Sequence, residues 1–225
     1  QLRVLIYSWF CRNPLACVLV GLGGEKPKKQ SFYLRTLQQQ AVRSLNKLNQ
    51  NFQPSSGFKS TFYQSLPIYS DDLSIGNTLN LSKYHSLSDN LIISGKFFFK
   101  SVNSIDDDVR VSRRVYIPSS KLRGFEAGKI GPKDGTEYVG GNFGSALNIN
   151  TTLPNILSGY ENIDLSLFFD AATLREVDYD SSLESSKIRS STGLSVNWFT
   201  VIGPLSFSYA IPLSSDESDK TESFR

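Results

Sequence analysis

From Gly57 onward, apolar and polar residues alternate in runs of about nine to twelve positions that stop at clusters of Gly, Pro, Asn, Asp or Ser. Side chains of an extended strand point alternately to its two faces, so this period of two predicts strands and is incompatible with amphipathic helices. In Leu91 to Lys100, the residues Leu91, Ile93, Gly95, Phe97 and Phe99 share one face, and Ile92, Ser94, Lys96, Phe98 and Lys100 share the other. Ile163, Leu165, Leu167 and Phe169 likewise oppose Asp164, Ser166 and Asp170, and Leu205, Phe207, Tyr209 and Ile211 oppose Ser206, Ser208 and Ala210. With Phe58 to Leu66, Thr78 to Tyr84, Phe143 to Leu153 and Arg189 to Phe199, seven strands are well marked, and an eighth is a candidate from Glu222.

The connections separate the architectures that seven or eight strands can build. Short links at Ser86 to Asn90, Gly159 to Asn162 and Thr200 to Pro204 alternate with longer polar ones at Pro67 to Gly76, Asn103 to Gly141, Ala171 to Ser186 and Ser214 to Thr221. Such alternation is expected of an up-and-down membrane barrel with tight periplasmic turns and long extracellular loops. A soluble sandwich would scatter its long crossovers between both ends. The fold expected is therefore all-β: an antiparallel transmembrane barrel, represented by its C-terminal half, seven to eight strands of roughly sixteen.

Composition removes most other readings. Lys and Arg total 24 against 21 Asp and Glu, too even a balance for a nucleic-acid binder. Cys11 and Cys17 have no histidine near them, since His85 is the single one, so neither a zinc site nor a Cys/His nucleophile can be assembled. No cofactor, metal or enzymatic activity is expected. The apolar region from Val4 to Leu22 is broken by Arg12, Asn13 and Pro14, leaving runs too short to cross a bilayer as a helix. The chain opens at Gln1 without any methionine and reads as an internal fragment. Residues 1–50 form a separate segment, in which Ser31 to Gln50 suits a short amphipathic helix, a loop or a poorly formed strand; residues 51–225 carry the barrel pattern.

The long connection from Asn103 to Gly141 is unusual, because loops of that length generally have a function. At its centre Leu122-Arg123-Gly124-Phe125 is followed by Ile130-Gly131-Pro132. Val139-Gly140-Gly141-Asn142, Phe168-Phe169-Asp170, Arg189 through Gly193 to Trp198, and Gly203-Pro204-Leu205 leading to Phe207-Ser208-Tyr209-Ala210 and Pro212 come after it in order. Asn51-Phe52-Gln53-Pro54-Ser55-Ser56-Gly57 precedes it. This ordered set resembles the BamA-type barrels of the superfamily that also includes TamA and the two-partner-secretion transporters, over roughly Asn51 to Arg225. Trp9-Phe10 and Arg12-Asn13-Pro14-Leu15 are faintly similar to an earlier hairpin of those barrels.

The resemblance implies a bacterial outer-membrane protein that folds and inserts other β-barrels without enzymatic chemistry. Its implied partners are unfolded barrel precursors, assembly lipoproteins, POTRA domains absent from this chain, and outer-membrane lipid; nucleic acid is not among them. The long loop is expected to fold into the barrel lumen, where Arg123, beside Gly124 and Phe125, meets Asp170 on the wall as a latch, with Gly131 and Pro132 downstream. Gly203, Pro204 and Leu205 mark the strand motif that favours this group over polypeptide-exporting barrels. Departures from the pattern are Asn150 in place of a second acidic wall residue and Ala172 in place of a glycine. A passive porin, which needs no such loop motif, and a soluble β-domain are the remaining rivals.

Overall fold

A computed structural model describes residues 35–48, 54–69, 73–88, 90–105, 108–154, 162–183 and 186–225. The cysteines, the apolar region from Val4 to Leu22 and the candidate hairpin residues Trp9 to Leu15 lie outside the described residues. Eight strands form one antiparallel sheet: β1 (Arg35–Leu48), β2 (Pro54–Tyr69), β3 (Ser74–Ser88), β4 (Leu91–Ser104), β7 (Phe143–Pro154), β8 (Ile163–Arg175), β9 (Arg189–Thr200) and β10 (Gly203–Ser214). A two-residue hairpin, β5 (Lys133–Asp134) and β6 (Glu137–Tyr138), lies within the long loop. The sheet order follows the chain order, so every large strand pairs with its sequence neighbours, and among the described residues the sheet is open.

All seven predicted strands are present, and β1 adds another where periodicity had left helix, loop and strand open. The candidate from Glu222 has begun to pair: Ser208 and Arg225 exchange backbone bonds, and Ala210 N–H donates to Ser223 O at 2.8 Å.

The expected link lengths need correction. β2 runs through Tyr69 and β3 starts at Ser74, so the long link at Pro67 to Gly76 shrinks to residues 70–73. The strands take up Pro67, Ile68 and Tyr69 on one side and Ser74, Ile75 and Gly76 on the other, and just inside them Gln64 Nε2 donates to Asn77 Oδ1 at 3.0 Å. β8 continues to Arg175 because Ala172 and Leu174 keep the alternation on its buried face. β7 runs to Pro154 and β8 starts at Ile163, and the link expected at Gly159 to Asn162 lies, apart from Asn162, outside the described residues. The contrast between long and short links is reduced at 70–73, and the two longest links, 105–142 and 176–188, leave from the same end of the sheet.

Burial is inverted relative to a soluble sheet. Ser94, Ser101, Asn148, Asp164, Ser166, Asp170, Ser191, Ser195 and Ser208 are buried, whereas Phe97, Leu147, Ile149, Leu167, Phe169, Leu194, Trp198, Phe207, Tyr209 and Ile211 are exposed. Register joins the exposed residues into a band: Leu167 stands opposite Leu194, itself opposite Tyr209, and Leu165 opposite Val196, itself opposite Phe207. An apolar face this continuous requires a nonaqueous neighbour, which for a sheet with a polar reverse face is lipid.

Candidate functional site

The loop at residues 105–142 carries apolar residues that a solvated loop would not need. Val109, Val115, Ile117, Leu122, Phe125 and Ile130 are buried together with Phe98, Val102, Ala146, Ala172 and Leu174 from the polar face of β4, β7 and β8. The loop therefore folds back onto the sheet and makes an apolar core there. Ala172 contributes its methyl group to this core.

At the loop's centre Gly124 has φ +88°, and a Cβ there would stand 3.1 Å from Ala210 Cβ and 3.3 Å from Ser191 Cβ. Only glycine permits that close approach in that conformation. The turn delivers Arg123 to β8. Its Nε donates to Asp170 Oδ2 at 2.7 Å and its Nη2 to Asp170 Oδ1 at 2.8 Å, a two-bond guanidinium–carboxylate contact. Nη2 also donates to Asn150 Oδ1 at 2.7 Å, and the Arg123 backbone N–H reaches Asp170 Oδ2 at 3.2 Å. Asn150 thus supplies as an amide oxygen the acceptor expected of a carboxylate, with no second negative charge.

Three further residues complete the arrangement. The guanidinium lies 3.5 Å from the centroid of the Phe168 ring, a stacked cation–π contact. Asn148 Nδ2 donates to Asp170 Oδ1 at 2.7 Å and to Lys121 O at 2.8 Å, and Ser191 Oγ donates to Arg123 O. Alternation could have found Asn148 and Phe168, which share a strand face with Asn150 and Asp170 respectively. The Asp170 side chain is fully buried, while Arg123 keeps some exposure toward a polar cavity of about 400 Å³ lined by Lys96, Lys121, Asn148 and Asn150.

Gly131 has φ +96°, where a Cβ would lie 2.5 Å from Leu174 Cδ2, and the following Pro132 is fully buried and accepts the Val139 N–H at 3.1 Å. Gly203, Pro204 and Leu205 are not brought to this cluster: they open β10 at the far end of the β9–β10 hairpin, where Thr200 Oγ1 donates to Gly203 O at 2.6 Å.

Two other ion pairs escaped the reading of the sequence, since both join segments far apart in the chain. Arg189 Nε bonds Asp219 Oδ2 at 2.9 Å, and both side chains are fully buried. Arg114 Nη2 bonds Asp178 Oδ1, while its Nε donates to Val109 O at 3.0 Å. Burial alone would raise the Asp178 carboxyl, but the Val109 N–H at 2.6 Å, the Asn142 amide and the Arg114 guanidinium outweigh it and hold the group below its ordinary range.

Residues 25–225 match the Omp85 superfamily domain. The chain belongs to the Omp85 superfamily. Among its curated relatives is the outer membrane protein assembly factor BamA of Nitratidesulfovibrio vulgaris, 29% identical over 168 residues, covering 71% of this chain and 20% of that protein. BamA of Neorickettsia risticii is 24% identical over 192 residues, covering 80% of this chain and 25% of the relative. The crystal structure of BamA from Haemophilus ducreyi lacking POTRA domains 1–3 superposes with a TM-score of 0.74 at 27% identity, covering 83% of this chain and 41% of that one. The chain thus spans a quarter or less of these curated relatives. Its sheet is part of an Omp85 outer-membrane barrel, the apolar band is the lipid face, and the loop-covered face is the lumen wall.

Proposed function

We propose that the protein containing this sheet folds and inserts β-barrel proteins into the bacterial outer membrane. The observation that carries the reading is the loop held against the lumen wall by Arg123 and Asp170, in a sheet whose fold matches a BamA barrel. The relatives' name, outer membrane protein assembly factor, supports the same reading. The role is non-enzymatic: a barrel with an openable edge offers backbone donors and acceptors to an incoming strand, and pairing with lipid-facing strands drives insertion.

On this reading the substrates are unfolded barrel precursors, which reach the barrel through periplasmic POTRA domains and assembly lipoproteins outside this chain. Residues 51–225 supply barrel wall and latch, and Gly203-Pro204-Leu205 shapes the entry of β10. The test is reconstitution of the complete protein in vesicles of phosphatidylethanolamine and phosphatidylglycerol, with a urea-unfolded porin as substrate. Faster acquisition of protease-resistant porin than in empty vesicles supports the reading. Equal rates, or export of the polypeptide into the vesicle lumen without its insertion, would replace it with a passive or an exporting barrel.

A further inference from the structure

The connection between β9 and β10 departs from the usual chemistry of tight turns. Thr200 pairs with Gly203, which leaves Val201 and Ile202 alone at the tip. Two-residue connections favour Gly, Asn and Asp, and β-branched side chains are poorly suited to them. Here Gly203 supplies the positive φ, +132°, and Thr200 Oγ1 donates to its carbonyl at 2.6 Å, whereas neither Val201 nor Ile202 has a positive φ. The backbone thus makes no demand for Val or Ile, and packing makes none either: Val201 is 107% and Ile202 90% exposed. The β3–β4 connection at the same end of the sheet carries exposed Ser88 and Asn90 instead.

The tip continues the lipid face. Ile163 stands opposite Trp198, and Trp198 opposite Leu205, which makes this the last apolar row of that face on β8, β9 and β10. Tryptophan at such a level is the usual marker of a membrane interface. The turn begins two residues beyond Trp198, about 7 Å further along the strand. A strand tilted by about 40° converts that into about 5 Å along the membrane normal. The headgroup region on each side of the hydrocarbon is about 5–7 Å thick, so the tip stands among headgroups. This end lies opposite the one that bears the links 105–142 and 176–188, and so faces the periplasm.

We propose that the β9–β10 turn is a membrane anchor, whose Val201 and Ile202 insert between the phospholipid headgroups of the periplasmic leaflet. Two adjacent aliphatic side chains held clear of the protein, directly beyond the apolar band, contribute contact with lipid that a polar turn would lack. The anchor would fix the level of the β9–β10 hairpin in the bilayer. It rests on the spanning sheet and is independent of the assembly reading.

The test places one cysteine at the tip, Val201→Cys, in the complete protein with its other cysteines replaced by serine. The thiol is labelled with an environment-sensitive fluorophore, and the protein is reconstituted in vesicles of phosphatidylethanolamine and phosphatidylglycerol. A phospholipid spin-labelled at its headgroup should quench the label, and aqueous iodide should quench it at least threefold less than it quenches the same label on a free peptide. Iodide quenching equal to that of the peptide places the tip in water and overturns the anchor. Shielding from both quenchers also overturns it, in favour of cover by a periplasmic domain of the same protein. Ile202→Cys provides a second site, with the same expectations, should the first variant fail to give a heat-modifiable barrel. Failure of the assembly reading would appear in porin insertion rates and would leave these quenching results unchanged.

Discussion

Replacing Arg123 by alanine in the complete protein should destabilise the barrel chiefly through what it leaves behind. Asp170 is fully buried and would lose two of the four hydrogen bonds that reach it, those at 2.7 and 2.8 Å from the guanidinium. Stranding one member of a buried pair costs about 3–5 kcal/mol where water cannot reach. Two donors remain, Asn148 Nδ2 at 2.7 Å and the backbone N–H of residue 123 at 3.2 Å, and the neighbouring polar cavity admits water. The loss should therefore be about 2–3 kcal/mol. Asp170→Ala should cost less, about 1–2 kcal/mol, because the arginine keeps Asn150 and the Phe168 ring. Heat-induced gel-mobility shifts and urea unfolding in micelles measure both, and direct partners should couple by about 1 kcal/mol or more in the double mutant. Arg123→Lys should rescue only part of the loss, since an ammonium cannot span both Asp170 oxygens and Asn150 together. Additive single mutants would refute the latch, and full porin insertion by both would remove its role in assembly.

A Cβ at Gly193 would lie 2.0 Å from Tyr209 O and 2.8 Å from Phe168 Cζ, so Gly193→Ala should cost about 3 kcal/mol or more and displace the ring under Arg123, read by unfolding and near-ultraviolet dichroism. The Asp178 carboxyl is depressed, so the stability it lends the outer loops is complete above the unfolded value, near pH 4, and is lost as pH falls through the lower folded value. Protease nicking within residues 176–188 should accordingly rise as pH falls from about 5 to 3, and Asp178→Asn should nick at a high, pH-independent rate. Cysteine labels at Ser182 should react from outside intact cells, while labels at Val201 should wait until the outer membrane is breached; equal reactivity would exclude a spanning sheet.

The sheet was legible because alternation is a local property: each strand from Phe58 to Ile211 announces its own two faces. β1 was not, since Arg35 to Leu48 strings together Gln, Asn, Arg and Lys with few apolar residues, and only pairing with β2 makes it a strand. Loop lengths failed for a related reason. Pro67 and Gly76 read as the ends of a link, yet both lie inside strands, where Pro67 stands opposite Thr36 and Gly76 opposite Val102. The Arg123 and Asp170 contact could be anticipated only through family likeness, because nothing within either segment specifies a partner 47 residues away. Asp178 and Asp219 had no such aid, being acidic residues in polar loops until the fold sets them against Arg114 and Arg189.

Inverted burial also changes what counts as core. The apolar faces of the strands turn to lipid, and lipid tails are as apolar as the side chains themselves, so those faces contribute little to packing strand against strand. The dense apolar packing that remains is Val115, Ile117, Leu122 and Ile130 of the loop against Phe98, Val102, Ala146 and Leu174 of the lumen wall. The longest loop is therefore the principal core of this half-barrel as well as the bearer of its latch. An assembly cycle that withdrew it completely would expose that core to lumenal water, at about 25 cal/mol for each Å² of apolar surface. Separating residues 124–129 from 220–222 would break three backbone bonds and also draw Phe125 out of that core, so the loop's packing and its pairing with residues 220–222 stabilise each other.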